Sequence, residues 1–267
     1  MIARIAVALA FVILAVAAAR AEAPVRLYAA GSLKAAMSEI AAAFEQETGI
    51  AVVGTYGASG LLRDRIAQGE NADVFGSANM AHPRSLADAG RAEPAAAFAF
   101  NRLCALASPR IHVTSETLLE RMLDPKVKLG TSTPKADPSG DYAWALFEKA
   151  EALRKGAFAA LAAKALKLTG GPDSPPPPKD RVVYGKLVED GTADIFLTYC
   201  TNAMQAQKEA PALKVVAVPE PLAVGAEYGL TVINGARPAG ARFAAFIRSP
   251  TGRALLVRHG FGLPPAK

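Results

Sequence analysis

Three serines recur at one kind of place along this chain. Ser32 follows LYAAG, Ser59 follows GTYGA and Ser139 follows KADP, each where a β-like run gives way to a helical one. A helix start leaves backbone N–H groups unpaired and carries a partial positive charge. With a hydroxyl added, it grips an anion without help from Lys or Arg. The Asp180-Arg181 pair opens another helical run, and Tyr199 ends the β-like run ADIFLTY, where its phenol offers one hydrogen bond. A lone serine at a helix start is an ordinary cap. Several such starts at strand carboxyl ends, where open α/β sheets bind ligands, point instead to oxyanion capture. Nucleophilic catalysis is not indicated. GASG around Ser59 is not a G-x-S-x-G elbow, and His82, His112 and His259 stand far in sequence from every candidate serine. The histidines lack metal-ligand spacing, and no GxGxxG or Walker sequence is present.

The elements that must position these groups alternate. Strands are expected at 25–30, 50–55, 73–77, 98–108, 127–130, 193–199 and 215–218. Between them, Leu33, Met37, Ile40 and Phe44 fall on one helical face, as do Leu62 and Ile66, and Leu146, Phe147 and Ala150. An alanine-rich helix is expected over 156–168 and another over 181–189, capped by Asp180. The last helix begins at Ser249-Pro250 and stops at Gly260. Between these, 170–180 carries four consecutive prolines and reads as a stiff extended surface loop. This alternation predicts a mostly parallel sheet covered by helices. The order of elements has the chain visit one lobe, then a second, then return, with a hinge near 98–102 and 219–225. The expected division is 22–100 plus 222–267 for the first lobe and 101–221 for the second.

Composition sets the bounds. The chain has 267 residues, of which 51% are hydrophobic and 20% charged, which suits a folded chain with a sizeable core rather than an extended one. Arg4, the apolar run 5–18 and Ala19-Arg20-Ala21 form a secretory signal peptide, with cleavage expected after Ala21. The chain is therefore expected to be exported to the periplasm. Without Arg4 and Arg20 the net charge falls from +6 to +4, and no basic cluster interleaved with aromatics suggests nucleic acid. In an exported chain Cys104 and Cys200 are free to pair or to remain two buried thiols.

AAGSLKAA, followed by TYGASGLLRDRIAQGENADVFGSAN, resembles the periplasmic molybdate-binding proteins of ABC transporters, and the likeness continues through DPSGDYA, LVEDGTADIFLTY and AEYGLTVI. The resemblance implies an α/β, two-lobed type II periplasmic binding fold closing on a tetrahedral oxyanion. It implies molybdate, and tungstate with it, as ligand, and an ABC permease as the partner that receives it. It implies a monomer with neither enzymatic activity nor a cofactor. Carried over by motif, Ser32 and Ser59 would bind from the first lobe, and Ser139, Arg181 and Tyr199 from the second. Molybdate is fully deprotonated at neutral pH, so a site of donors alone suits it and disfavours protonated phosphate. The family usually has an Ala at Ser139 and a small apolar residue at Arg181. Arg181 either adds a charge-assisted contact or points to solvent. Asp137-Pro138 resembles the archaeal tungstate/molybdate binders, which implies Asp137, with Glu227, as ligands if the metal expands its coordination. The same fold with sulfate, thiosulfate, phosphate or a carboxylate is the alternative.

Overall fold

Strand Val25–Ala30 (β1) is buried along almost its whole length, and it enters helix Lys34–Thr48 (α1) through a single 3-10 turn at Gly31–Leu33. A computed structural model describes residues 22–178 and 180–265; the expected signal peptide lies outside these residues. There follow β2 (Val52–Gly57), α2 (Ser59–Ala67), β3 (Val74–Ser77), α3 (Ala81–Asp88) and the long strand β4 (Ala96–Ala107). Next come α4 (Leu118–Leu123), β5 (Leu129–Ser132), α5 (Pro138–Leu153), α6 (Ala157–Lys164) and β6 (Leu166–Thr169). The chain continues through α7 (Val183–Glu189), β7 (Ile195–Tyr199), α8 (Cys200–Glu209) and β8 (Lys214–Ala217). It closes with β9 (Gly225–Val232), α9 (Pro238–Ile247) and α10 (Pro250–Arg258).

The strands run in the order β2-β1-β3-β9-β4-β7-β5-β6, with β8 also on β4. β4 joins two halves of this array. Its first part, Ala96 to Arg102, pairs with β9, and its last part, from Leu103, pairs with β7 and β8. The expected parallel pairing holds for β1 with β2 and β3 and for β5 with β6 and β7. All four pairs made by β4 or β9 are antiparallel, because these long strands carry the chain between the halves and back.

α1, α2 and α5 bury the faces their spacing predicted. α1 buries Ala36, Met37, Ile40 and Phe44, and Phe44 meets Phe243 and Phe246 of α9 edge-on at 5.1 and 5.4 Å. Asp73, fully buried before β3, pairs with Arg26 of β1 and Arg237 at the start of α9. Burial opposes that charge, but the two guanidiniums hold the carboxyl well below the usual range.

Two local expectations change. The helix expected over 156–168 stops at Lys164, and Leu166–Thr169 joins β5 as an edge strand. The helix expected from Arg181 begins at Val183, with Val182 rather than Asp180 as N-cap. Glu209 accepts the Val182 N–H at 2.8 Å, so a side chain from α8 fixes this helix start. Ser249 caps α10 as expected, accepting from the Gly252 N–H.

Candidate functional site

Ser32, Asp137 and Tyr199, each at a strand or helix end, line a cavity of about 880 Å³ between the two halves of the array. Ser32 lies in the 3-10 turn after β1, and its Oγ is 2.9 Å from the Tyr228 hydroxyl. Asn101 Nδ2 donates to that same tyrosine oxygen at 3.4 Å and to Thr201 Oγ1 at 2.9 Å. With the Tyr228 proton given to Ser32, the Ser32 O–H is free to point into the cavity it lines. Tyr228 is completely buried, which raises its pKa despite these hydrogen bonds and keeps it a neutral donor.

Tyr199 is the last residue of β7 and only 2% exposed, yet its hydroxyl has no hydrogen-bond partner. Its ring is held edge-on by Tyr142 at 6.2 Å and Tyr228 at 5.6 Å. Burial lifts its pKa well above the ordinary phenol value, so it donates rather than ionises. Ser139, in the first turn of α5, is fully buried, and its Oγ also lacks a partner. A buried polar group left unpaired costs about 1–3 kcal/mol, and of these two hydroxyls Tyr199 belongs to the cavity lining while Ser139 does not.

Ser59 behaves differently. It opens α2, is 1% exposed, and its Oγ accepts the Ala78 N–H at 3.1 Å, tying the helix start to the segment after β3. Ala58, not Ser59, lines the cavity. Arg181 does line it, but its guanidinium forms an ion pair with Glu189 of α7, leaving only Nε buried without a partner. Glu227 is exposed on β9 and outside the cavity lining, because strand alternation turns Tyr228 inward and its neighbour out. The pair of carboxylates expected for expanded coordination is therefore not assembled. Among the described residues no cluster of three His, Cys, Asp or Glu could hold a metal ion.

Asp137 does reach the cavity. As N-cap of α5, its Oδ1 accepts the Ser139 N–H at 3.0 Å. Burial pushes its carboxyl up to about 6, against the downward pull of the Ser139 N–H and the Ser132 hydroxyl.

The two halves touch at one side of the cavity. Gly60 N, in the first turn of α2, donates to Ala136 O at 2.9 Å, and the Tyr142 hydroxyl donates to Ala78 O at 3.2 Å. A Cβ on Gly60 would lie 2.6 Å from Ala136 O and 2.7 Å from Lys135 O. Lys135 adopts φ +69°, and its N–H is held by Asp141 Oδ1 at 2.7 Å, which aims this turn at α2. Cys104 of β4 and Cys200 of α8 form a disulfide, settling the two readings of the sequence. It lies beside Tyr199, whose backbone pairs with Leu103. Sequence reasoning missed Tyr228, Asn101 and Gly60, since nothing local distinguishes a tyrosine or asparagine that bonds across more than a hundred residues.

The family described as bacterial extracellular solute-binding protein matches this chain over residues 25–262. An uncharacterised protein of Pasteurella multocida is 38% identical over 210 residues, covering 78% of this chain and 87% of its own. The molybdate-binding protein of Escherichia coli is 28% identical over 254 residues, covering 90% and 89%. Among solved structures, the sulfate-binding protein of Mycobacterium tuberculosis superposes with a TM-score of 0.74 at 18% identity, covering 90% of this chain and 86% of that one. The chain belongs to the bacterial extracellular solute-binding protein family, whose members bind solutes for transport rather than transform them. No helix among the described residues is long and apolar enough to cross a membrane.

Proposed function

We propose that this solute-binding protein captures molybdate, and tungstate with it, in the cleft between its two halves and passes it to an ABC permease. The observation that carries this reading is the buried, unpartnered Tyr199 hydroxyl in the cavity lining of the second half, with the Ser32 hydroxyl in the lining of the first. Neutral donors facing the cavity from both sides suit an anion that only accepts hydrogen bonds, and engaging both sides favours closure. Arg181 is left out of the ligand set because Glu189 already neutralises it. The identity to a molybdate-binding relative supports molybdate as the first anion to test. Release of a leader at Ala21 and residence in the periplasm belong to the same proposal.

Isothermal titration of residues 22–267 with molybdate, tungstate and sulfate tests it. One-to-one binding of the first two, with sulfate weaker, is the expected result; silence with molybdate and tungstate overturns it. A second reading keeps the cleft and changes the anion to phosphate. It is favoured by the Asp137 carboxylate in the cavity lining, because that group accepts hydrogen bonds where molybdate offers none.

A further inference from the structure

We propose that Asn101 is a positioning residue for anion capture. Its side-chain amide donates to one hydroxyl on each half of the molecule, and so leaves the Ser32 and Thr201 protons to point into the cleft. The role rests on the anion-capture reading and brings Thr201 into the donor set.

Asn101 sits where β4 changes partners. Up to Arg102 the strand pairs with β9, and from Leu103 it pairs with β7 and β8. The amide therefore stands at the junction of the halves, the place that a hinge motion displaces least. Its Oδ1 accepts the Arg102 N–H at 2.9 Å, which leaves Nδ2 with two hydrogens to give. One goes to Thr201 Oγ1 at 2.9 Å, in the first turn of α8, and the other to Tyr228 Oη at 3.4 Å, on β9.

Each bond fixes a direction. Tyr228 is fully buried and its oxygen receives the Asn101 hydrogen, so its own proton needs an acceptor. Ser32 Oγ, 2.9 Å away, supplies it. The reverse arrangement, with Ser32 donating, would strand a buried O–H. Ser32 thus keeps its hydrogen for the cleft. Thr201 is 8% exposed, and its Oγ1 accepts from Asn101, so its hydrogen also remains to be given. Both hydroxyls line the cavity, Ser32 from the first half and Thr201, just beyond Tyr199, from the second. A hydroxyl gives or accepts as its neighbours decide. One amide at the hinge makes both of these donors, which is what an anion without hydrogens requires.

The test is isothermal titration with molybdate, tungstate, sulfate and phosphate on the parent, on Asn101→Asp and on Thr201→Val. The double variant of Ser32→Ala with Thr201→Val is titrated with and without Asn101→Asp. Aspartate keeps the oxygen that accepts the Arg102 N–H and replaces Nδ2 by a second acceptor. Thr201 and Tyr228 then turn their protons towards it, and Ser32 turns its own towards Tyr228. For the best-bound anion, Thr201→Val should weaken binding about tenfold and Asn101→Asp about thirtyfold or more, as for one and for two lost bonds to a charged oxygen. In the double variant neither hydroxyl remains to be turned, so Asn101→Asp should cost about threefold or less there, the repulsion of its added charge. The anion-dependent rise in Tm extends the comparison to variants that bind too weakly to titrate. The same loss on both backgrounds marks charge repulsion or a distorted hinge, and overturns the role while anion capture stands. Thr201→Val binding as tightly as the parent does so too. If Asn101→Asp melts early, Asn101→Ala removes both N–H groups without adding a charge; its loss should be smaller and should depend on the background in the same way. A parent that binds none of the four anions overturns capture, and the role of Asn101 with it.

Discussion

Tyr199→Phe should move stability and affinity in opposite directions. The substitution deletes one oxygen and leaves the ring between Tyr142 and Tyr228, at 6.2 and 5.6 Å, in place. In the ligand-free protein that oxygen is buried and unpaired, so its removal relieves a desolvation penalty of about 1 kcal/mol or more. For a chain of this size that corresponds to a rise of roughly 2–4 °C in Tm. In the complex the same hydroxyl donates to a charged oxygen, an interaction of about 1.5–3 kcal/mol, so Kd should rise roughly 10- to 150-fold. Urea denaturation of the ligand-free proteins and isothermal titration, with whichever of molybdate, tungstate or phosphate binds the parent, measure the two effects separately. A variant destabilised by more than about 1 kcal/mol with its affinity intact refutes the reasoning. The Tyr199 hydroxyl would then be satisfied within the fold rather than kept for a ligand.

Gly60→Ala places a methyl 2.6 Å from Ala136 O, so it should hold the two halves apart and weaken anion binding at least tenfold. The clash falls on a contact this structure already makes, so the Tm of the ligand-free chain should fall as well; unchanged affinity would mean that this contact plays no part in closure. Replacing Cys104 and Cys200 by serine releases a crosslink spanning 96 residues, an entropic loss of about 4–5 kcal/mol. A urea midpoint matching that of the parent would contradict it. His82 is pushed down to about 4, chiefly by burial and then by the Arg63 charge, from an ordinary value of 6.5. Between those values the unfolded chain takes up a proton that the folded chain refuses, so stability should fall as pH drops from 6.5 towards 4. His82→Gln should flatten that part of a Tm-against-pH curve, and an unaltered slope would assign the effect to other groups.

Much of the frame was legible because its signals are local. β1 spans the residues expected of it, Ser249 caps the last helix, and the apolar spacing of α1 names the face it buries. The strand–serine–helix handovers likewise read within a few residues, and they placed Ser32, Ser59 and Ser139 at helix starts. What the sequence could not rank was the role of each. Ser59 is occupied by a backbone N–H nineteen residues on, while Ser139 is left without a partner. Both are serines at the first turn of a helix, and only the packing around them differs.

The remainder depends on which strands lie side by side. The alanine-rich run expected as one helix contains β6 because β5 offers an open edge. Cys104 and Cys200 meet because β4 pairs antiparallel with β7, bringing their Cα atoms to 4.8 Å across 96 residues. Arg181 is taken by Glu189, Ser32 is oriented by Tyr228, and Glu227 is turned outward by the alternation of a strand whose register β4 sets. By itself the sequence determined the helix faces, the caps and the serine-bearing turns, since each depends on residues a few positions apart. Tertiary structure alone decided which polar groups are already satisfied and which are left facing the cleft. That outcome depends on strand pairings between distant residues, and short-range propensity carries no information about them.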